Sequence, residues 1–190
     1  IVNPHGGPTA RDYWGYNFEH QFFASRGYAV LSMNFRGSTG YGRKHIIEGN
    51  KQWGRKMQDD VTDSVTWAVS EGIADPDKVC IYGASYGGYA VMAGITKTPE
   101  LYKCAVNYVG VTDMELLFSE TPAQWEHLQE QQKVYIGDYE NEKDYLDAVS
   151  PINLVDRIET PLYIVHGVRD WRVPIAHARK LKRELEKNGK

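Results

Sequence analysis

The apolar run Lys78-Val79-Cys80-Ile81-Tyr82 passes without a break into Gly83-Ala84-Ser85-Tyr86-Gly87-Gly88, and from there into an apolar stretch ending near residue 96. A strand that turns directly into a helix leaves room only for small side chains at the bend, and glycine at 83 and 87 meets that demand. The bend lifts the Ser85 hydroxyl into the open. The helix that starts at Tyr86 adds backbone N–H groups without helical partners and the positive end of its dipole, which suits a developing oxyanion. Ser85 is therefore the candidate nucleophile. A dinucleotide site is excluded, because serine occupies the middle glycine of G-x-G-x-x-G.

Around this bend, short β-rich runs alternate with helix-length segments. Residues 28–35, 78–82, 104–109 and 162–166 read as strands, and 12–25, 59–71, 86–96 and 175–187 as helices. Near-continuous apolar strands alternating with helices predict an α/β chain with a mostly parallel, doubly wound sheet. Ligands then bind beyond the carboxyl ends of the strands, so the loops after each strand are where chemistry belongs. Residues 113–149 break the rhythm as a long polar excursion between two strands. Its acidic centre, Asp138-Tyr139-Glu140-Asn141-Glu142, reads as solvated surface rather than a cation site.

A chain of 190 residues is sized for a single domain. With 22 lysines and arginines against 25 aspartates and glutamates, its net charge is −3, which argues against a nucleic-acid partner. No apolar run approaches the roughly 18 residues of a membrane span, and the first residues carry no secretion signal. The two cysteines, Cys80 and Cys104, are too few for a disulfide scaffold or a four-cysteine zinc site. They are expected to be buried free thiols on neighbouring strands, a reading that leans toward a reducing, cytoplasmic compartment. No cofactor or metal is expected.

Two further loops carry candidates. His5-Gly6-Gly7-Pro8 follows a short first strand, and its glycines allow a backbone N–H to approach a substrate oxygen. The Gly7 and Tyr86 amides would together form an oxyanion hole. Asp170 follows the apolar run 162–166 and comes after Ser85 in the chain, which is the place of an acid that orients a catalytic histidine.

Taken with Asn34-Phe35-Arg36-Gly37-Ser38-Thr39-Gly40-Tyr41-Gly42, Trp53-Gly54, Asp59-Asp60 and His166-Gly167 through Asp170 to Val173-Pro174, these motifs resemble the catalytic domain of the prolyl oligopeptidase family of serine peptidases. In motif style they are similar to acylaminoacyl peptidases. The resemblance implies an α/β-hydrolase fold and hydrolysis of short peptide substrates through an acyl-enzyme. It also implies that Arg172 holds a substrate carbonyl, with a surface salt bridge as the competing account. Arg36 is expected to brace its loop or a neighbouring carboxylate. Trp53 and Asp60 read as packing and helix-start residues.

One departure stands against these matches. The fold's order is Ser, Asp, His, and the only histidine after Asp170 is His177, seven residues on and along a helix leading away from the strand ends. His5 and His166 belong to loop motifs, while His20, His45 and His127 precede the acid without triad context. The expectation is a partial α/β-hydrolase domain spanning residues 1–190, cut at both ends, without the family's β-propeller, its basic histidine lying beyond Lys190. Sheet edges left open by such a cut offer a route to homo-oligomers. The alternatives are a carboxylesterase, because the same motifs serve esters, and a non-catalytic binding module that has lost its histidine.

Overall fold

The computed structural model describes residues 1–120 and 129–190. Helices α1 (Phe18–Ala24), α2 (Arg43–Ile47) and α3 (Lys56–Ser70) precede strand β1 (Cys80–Ala84), which runs through Ser85 into α4 (Tyr86–Lys97). Strand β2 (Cys104–Tyr108), the short helices α5 (Met114–Ser119), α6 (Gln129–Tyr135) and α7 (Lys143–Ala148), strand β3 (Leu162–Val165) and α8 (Ala176–Lys187) follow. The strands are parallel, in the order β1-β2-β3. Val2 extends this ladder, pairing in parallel with Ile81 on one side and Leu31 on the other. Its N–H donates to the Cys80 carbonyl at 2.8 Å, its carbonyl accepts from Tyr82 N–H at 2.9 Å, and Asn3 N–H donates to the Leu31 carbonyl at 2.8 Å.

Ordered by chain position, the five paired segments lie second, first, third, fourth, fifth across the sheet, so the winding reverses between Val2 and β1. In a doubly wound sheet the ligand crevice opens beyond the carboxyl ends at such a reversal. The residues just after Val2 and just after β1 flank it.

Side-chain alternation along β1 divides the layers. Ile81 is buried and belongs to the core on which α4 packs. Tyr82 points the other way, meeting Phe23 of α1 edge-on at 5.4 Å and donating its hydroxyl to Glu19 at 2.6 Å. Helices thus cover both faces. Tyr89, Ala90, Val91, Met92 and Ile95 of α4 are fully buried, and a helix apolar all round belongs inside a core. Each of its large side chains stabilises the fold by about 1.5–3 kcal/mol. Among the described residues no helix is long and apolar enough to cross a membrane.

Several sequence expectations require correction. Residues 28–35 contribute only the Leu31 bridge, because the first segment offers that side just Ile1 and the Asn3 N–H before it turns into the His5-Gly6-Gly7 loop. Helix α1 starts at Phe18, not residue 12: Asn17 caps it by accepting from the Glu19 and His20 N–H groups, and Tyr13, Trp14 and Tyr16 before it are exposed. The expectation of free thiols is overturned. Cys80 and Cys104 are direct partners in the β1–β2 register, with Cα atoms 4.7 Å apart, and form a disulfide. The leaning toward a reducing compartment loses its support with them. The excursion 113–149 is more than solvated surface: it carries α5, α6 and α7 and buries Met114, Ile136 and Leu146.

The Arg36 expectation matches the structure. Its guanidinium holds both carboxylate oxygens of Asp60 at 2.8 and 2.7 Å, and its backbone N–H donates to the same carboxylate at 2.8 Å. Three charge-assisted bonds pin the loop after residue 35 to α3. Asp60→Ala should lower stability by about 1–2 kcal/mol in urea unfolding, and Arg36→Lys should fail to substitute for the fork geometry. Wild-type stability in both variants would show that the pair carries no load.

Candidate active site

Ser85 sits between β1 and α4 with φ 58° and ψ −120°, in the left-handed region that side chains rarely adopt. Holding a residue there costs on the order of 1–3 kcal/mol, supplied by its surroundings. Its N–H donates to the Tyr108 carbonyl at 3.0 Å, at the end of β2, and its carbonyl accepts from Tyr89 N–H at 3.0 Å. A β-carbon at Gly83 would lie 2.5 Å from the Gly87 carbonyl oxygen, and one at Gly87 would lie 2.3 Å from that of Pro4. Only hydrogen fits at either place. Beneath the bend, the Tyr86 ring packs against Trp53 at 4.6 Å, Phe35 at 5.3 Å and Tyr89 at 5.7 Å, and burial pushes its phenol pKa well up.

The loop after Val2 closes on this bend. A β-carbon at Gly6 would stand 3.6 Å from that of Ser85, and Gly7 has φ +127°. Gly7 lines the same cavity as Ser85 and Tyr86, and as the first residue of α4, Tyr86 has no helical acceptor for its N–H. His5 fastens the loop. Its ring stacks on Phe35 at 4.3 Å, with Nδ1 2.7 Å from the Gly6 carbonyl and Nε2 2.8 Å from the hydroxyl of buried Ser38. A carbonyl only accepts, so in the neutral ring Nδ1 carries the proton and Nε2 accepts from Ser38. Farther on, Thr39 N–H donates to the Ala10 carbonyl at 2.9 Å.

Asp170 follows β3, at the same end of the parallel sheet as Ser85 and two strands away. Its Oδ1 accepts from the N–H groups of Arg172 at 2.9 Å and Val173 at 3.0 Å. These bonds aim the chain back toward the crevice, where Arg172 and Val173 join the cavity lining. The Arg172 guanidinium stands 5.3 Å from the Trp171 ring.

Ser85 thus opens into a cavity of about 380 Å³, with Trp53, Tyr86, Val111, Tyr135, Ile136 and Val173 as its main apolar walls. Gly7, the adjacent pair Ser85-Tyr86 and Arg172, from three distant parts of the sequence, meet here; Asp170 lies on the adjoining loop. Sequence reasoning took Trp53 for packing alone and had no signal for Val111. Tyr135 and Ile136 come from the excursion, whose helical structure its polar composition concealed.

No described histidine is hydrogen-bonded to Ser85 or Asp170. His177 is fully buried, its Nδ1 accepts from Thr112 N–H at 3.2 Å, and burial lowers its pKa to about 4. His20 is held by Asn3, His45 by the Phe35 carbonyl and His166 by the Val173 carbonyl. His127 lies outside the described residues. Among the described residues, no cluster of three or more histidines, cysteines or carboxylates is placed to hold a metal ion.

Comparison with known proteins places this geometry. A family model described as "Prolyl oligopeptidase family" matches residues 14–190. Dipeptidyl aminopeptidase BIII of Pseudoxanthomonas mexicana is 43% identical over 188 residues, covering 98% of this chain and 27% of that protein. Among solved structures, a puromycin-hydrolyzing peptidase of Mycobacterium tuberculosis superposes with a TM-score of 0.92 at 31% identity, over 98% of this chain and 28% of its own. An acylaminoacyl peptidase of Pyrococcus horikoshii gives 0.90 at 25% identity, over 100% of this chain and 30% of its own. The chain therefore spans a little over a quarter of the length of these relatives, and its sheet and helices are those of the α/β-hydrolase peptidases. With the strained serine bend, the glycine loop closing on it and a match over residues 14–190, the chain belongs to the prolyl oligopeptidase family.

Proposed function

We propose that this chain is the nucleophile-bearing part of a serine peptidase that cleaves short peptides through an acyl-enzyme. The observation that carries the reading is the approach of the Gly6-Gly7 loop to Ser85 at the reversal of the sheet. Ser85 Oγ attacks the scissile carbonyl carbon, forming a C–O bond and passing its proton to a histidine. The tetrahedral oxyanion receives the Gly7 and Tyr86 N–H groups, each worth about 3–4 kcal/mol. The C–N bond then breaks, the amine leaves with the proton from the histidine, and water releases the acyl group by the same steps. Asp170 orients that histidine and stabilises its charged form. The described histidines are held elsewhere, so the base is a histidine outside the described residues. Arg172 holds a substrate carbonyl at the cavity rim, and the apolar walls take an uncharged side chain beside the cleaved bond. The relatives' names, which are those of peptidases, favour amides over esters as substrates.

A fluorophosphonate should label the full-length protein at Ser85, and Ser85→Ala should abolish both labelling and peptide hydrolysis. An adduct on another residue overturns the assignment, and no adduct at all favours a binding module. Asp170→Asn should lower kcat by about 10³–10⁴-fold with little change in KM, as expected when a base takes the wrong tautomer; a loss confined to KM would remove Asp170 from the triad. His5→Ala frees the Gly6-Gly7 loop, so kcat/KM should fall about 10²-fold, with about 1–3 kcal/mol of unfolding stability lost because the buried Ser38 hydroxyl is left unpaired. Undiminished turnover would show that the loop holds its place without His5.

A further inference from the structure

Lys51 grips the cavity wall at two points. Its backbone N–H donates to the Tyr135 carbonyl at 2.8 Å, at the end of α6. Its ammonium holds both carboxylate oxygens of Glu142 at 2.9 and 2.7 Å. Glu142 in turn accepts from Asp138 N–H at 2.9 Å, and the Lys51 ammonium holds the Glu142 carboxyl below the usual carboxylate range. The chain from Tyr135 to Glu142 is thus clamped at both ends by one residue. Lys51 has φ 56°, and a side-chain-bearing residue keeps that conformation only where its surroundings impose it. Four residues on, the Arg55 guanidinium covers the Tyr145 ring at 4.2 Å, a further tie to the same region.

The clamped piece gives Tyr135 and Ile136 to the cavity lining, beside Leu117, Gln131 and Gln132 of the same excursion. Within the described residues helix α6 ends at Tyr135, where the Lys51 backbone bond meets it. Trp53, two residues after Lys51, lines the same cavity. A strap of three residues therefore carries one wall element and grips another, and its length fixes the spacing between them. A half-exposed ion pair alone is a weak tether, but here it acts together with a backbone bond to the same segment.

We propose that Lys51 is a positioning residue that sets the width of the apolar cavity beside Ser85, and so determines which size of substrate side chain the site prefers next to the cleaved bond. This rests on the reading of Ser85 as the nucleophile. Nothing in the proton path involves Lys51; its effect passes through Tyr135 and Ile136.

The test compares full-length wild type with Lys51→Met, Glu142→Gln and the charge swap Lys51→Glu with Glu142→Lys. The readout is kcat and KM for peptide anilides carrying alanine, valine or phenylalanine at the cleaved bond. Both single variants should shrink the preference between the best and worst side chain by about fivefold or more, through KM, as expected for lost pocket definition. The swap should bring the preference back to within about twofold of wild type. An unchanged preference in the single variants, or a uniform loss across all three substrates that the swap does not repair, overturns the proposal. Ser85→Ala separates the two ideas: hydrolysis surviving it defeats the nucleophile reading, whereas Ser85-dependent hydrolysis with an unaltered side-chain profile defeats the clamp alone.

Discussion

The parallel pairing of Val2 with Ile81 is the contact on which the site depends. Val2 lies between Leu31 and Ile81, so the chain leaving it and the chain leaving β1 emerge side by side at the same end of the sheet. Within four residues of each bridge, one chain becomes the Gly6-Gly7 loop and the other the Ser85 bend. Their close approach needs no long-range tether of its own; it is inherited from backbone hydrogen bonds in the ladder. Pro4 ends the first segment and frees the chain to turn over the start of α4, where the Gly87 hydrogen gives it room.

Strain at Ser85 is sustained from below. Helix α4 is buried on nearly every side, and the aromatic group of Phe35, Trp53, Tyr86 and Tyr89 fills the space under the bend. A serine backbone in the left-handed region persists because relaxing it would pull these rings out of contact. The same packing places Trp53 and Tyr86 in the cavity wall, so core and pocket share side chains. Peripheral ties do the rest: Arg36 with Asp60 secures the loop that carries Phe35 and Ser38, and Ser38 receives His5.

Much of this was legible in the sequence because local rules carried it. Gly83, Ser85 and Gly87 state a strand-to-helix bend within five residues, and Gly6-Gly7 and Asp170 announce themselves by the strands they follow. Non-local relations were opaque. Cys80 and Cys104 lie 24 residues apart, and only the β1–β2 register makes them partners. The segment 28–35 has strand composition, yet composition cannot reveal how soon its neighbour turns away into the His5-Gly6-Gly7 loop. Tyr135 and Ile136 were hidden for the same reason: a polar, acidic excursion gives no sign of which few residues turn inward, nor does Lys51 announce the distant segment it meets.

On the proposed reading, two main-chain amides, Gly7 and Tyr86, converge on one oxygen attached to a carbon bonded to Ser85. A crystal structure of the full-length protein with a peptidyl aldehyde or boronic acid tests it most directly. A covalent bond to Ser85 Oγ is expected, with one adduct oxygen about 2.7–3.1 Å from both nitrogens. An adduct oxygen turned toward solvent or held by other donors, with Gly7 apart from it, would rule out this oxyanion hole.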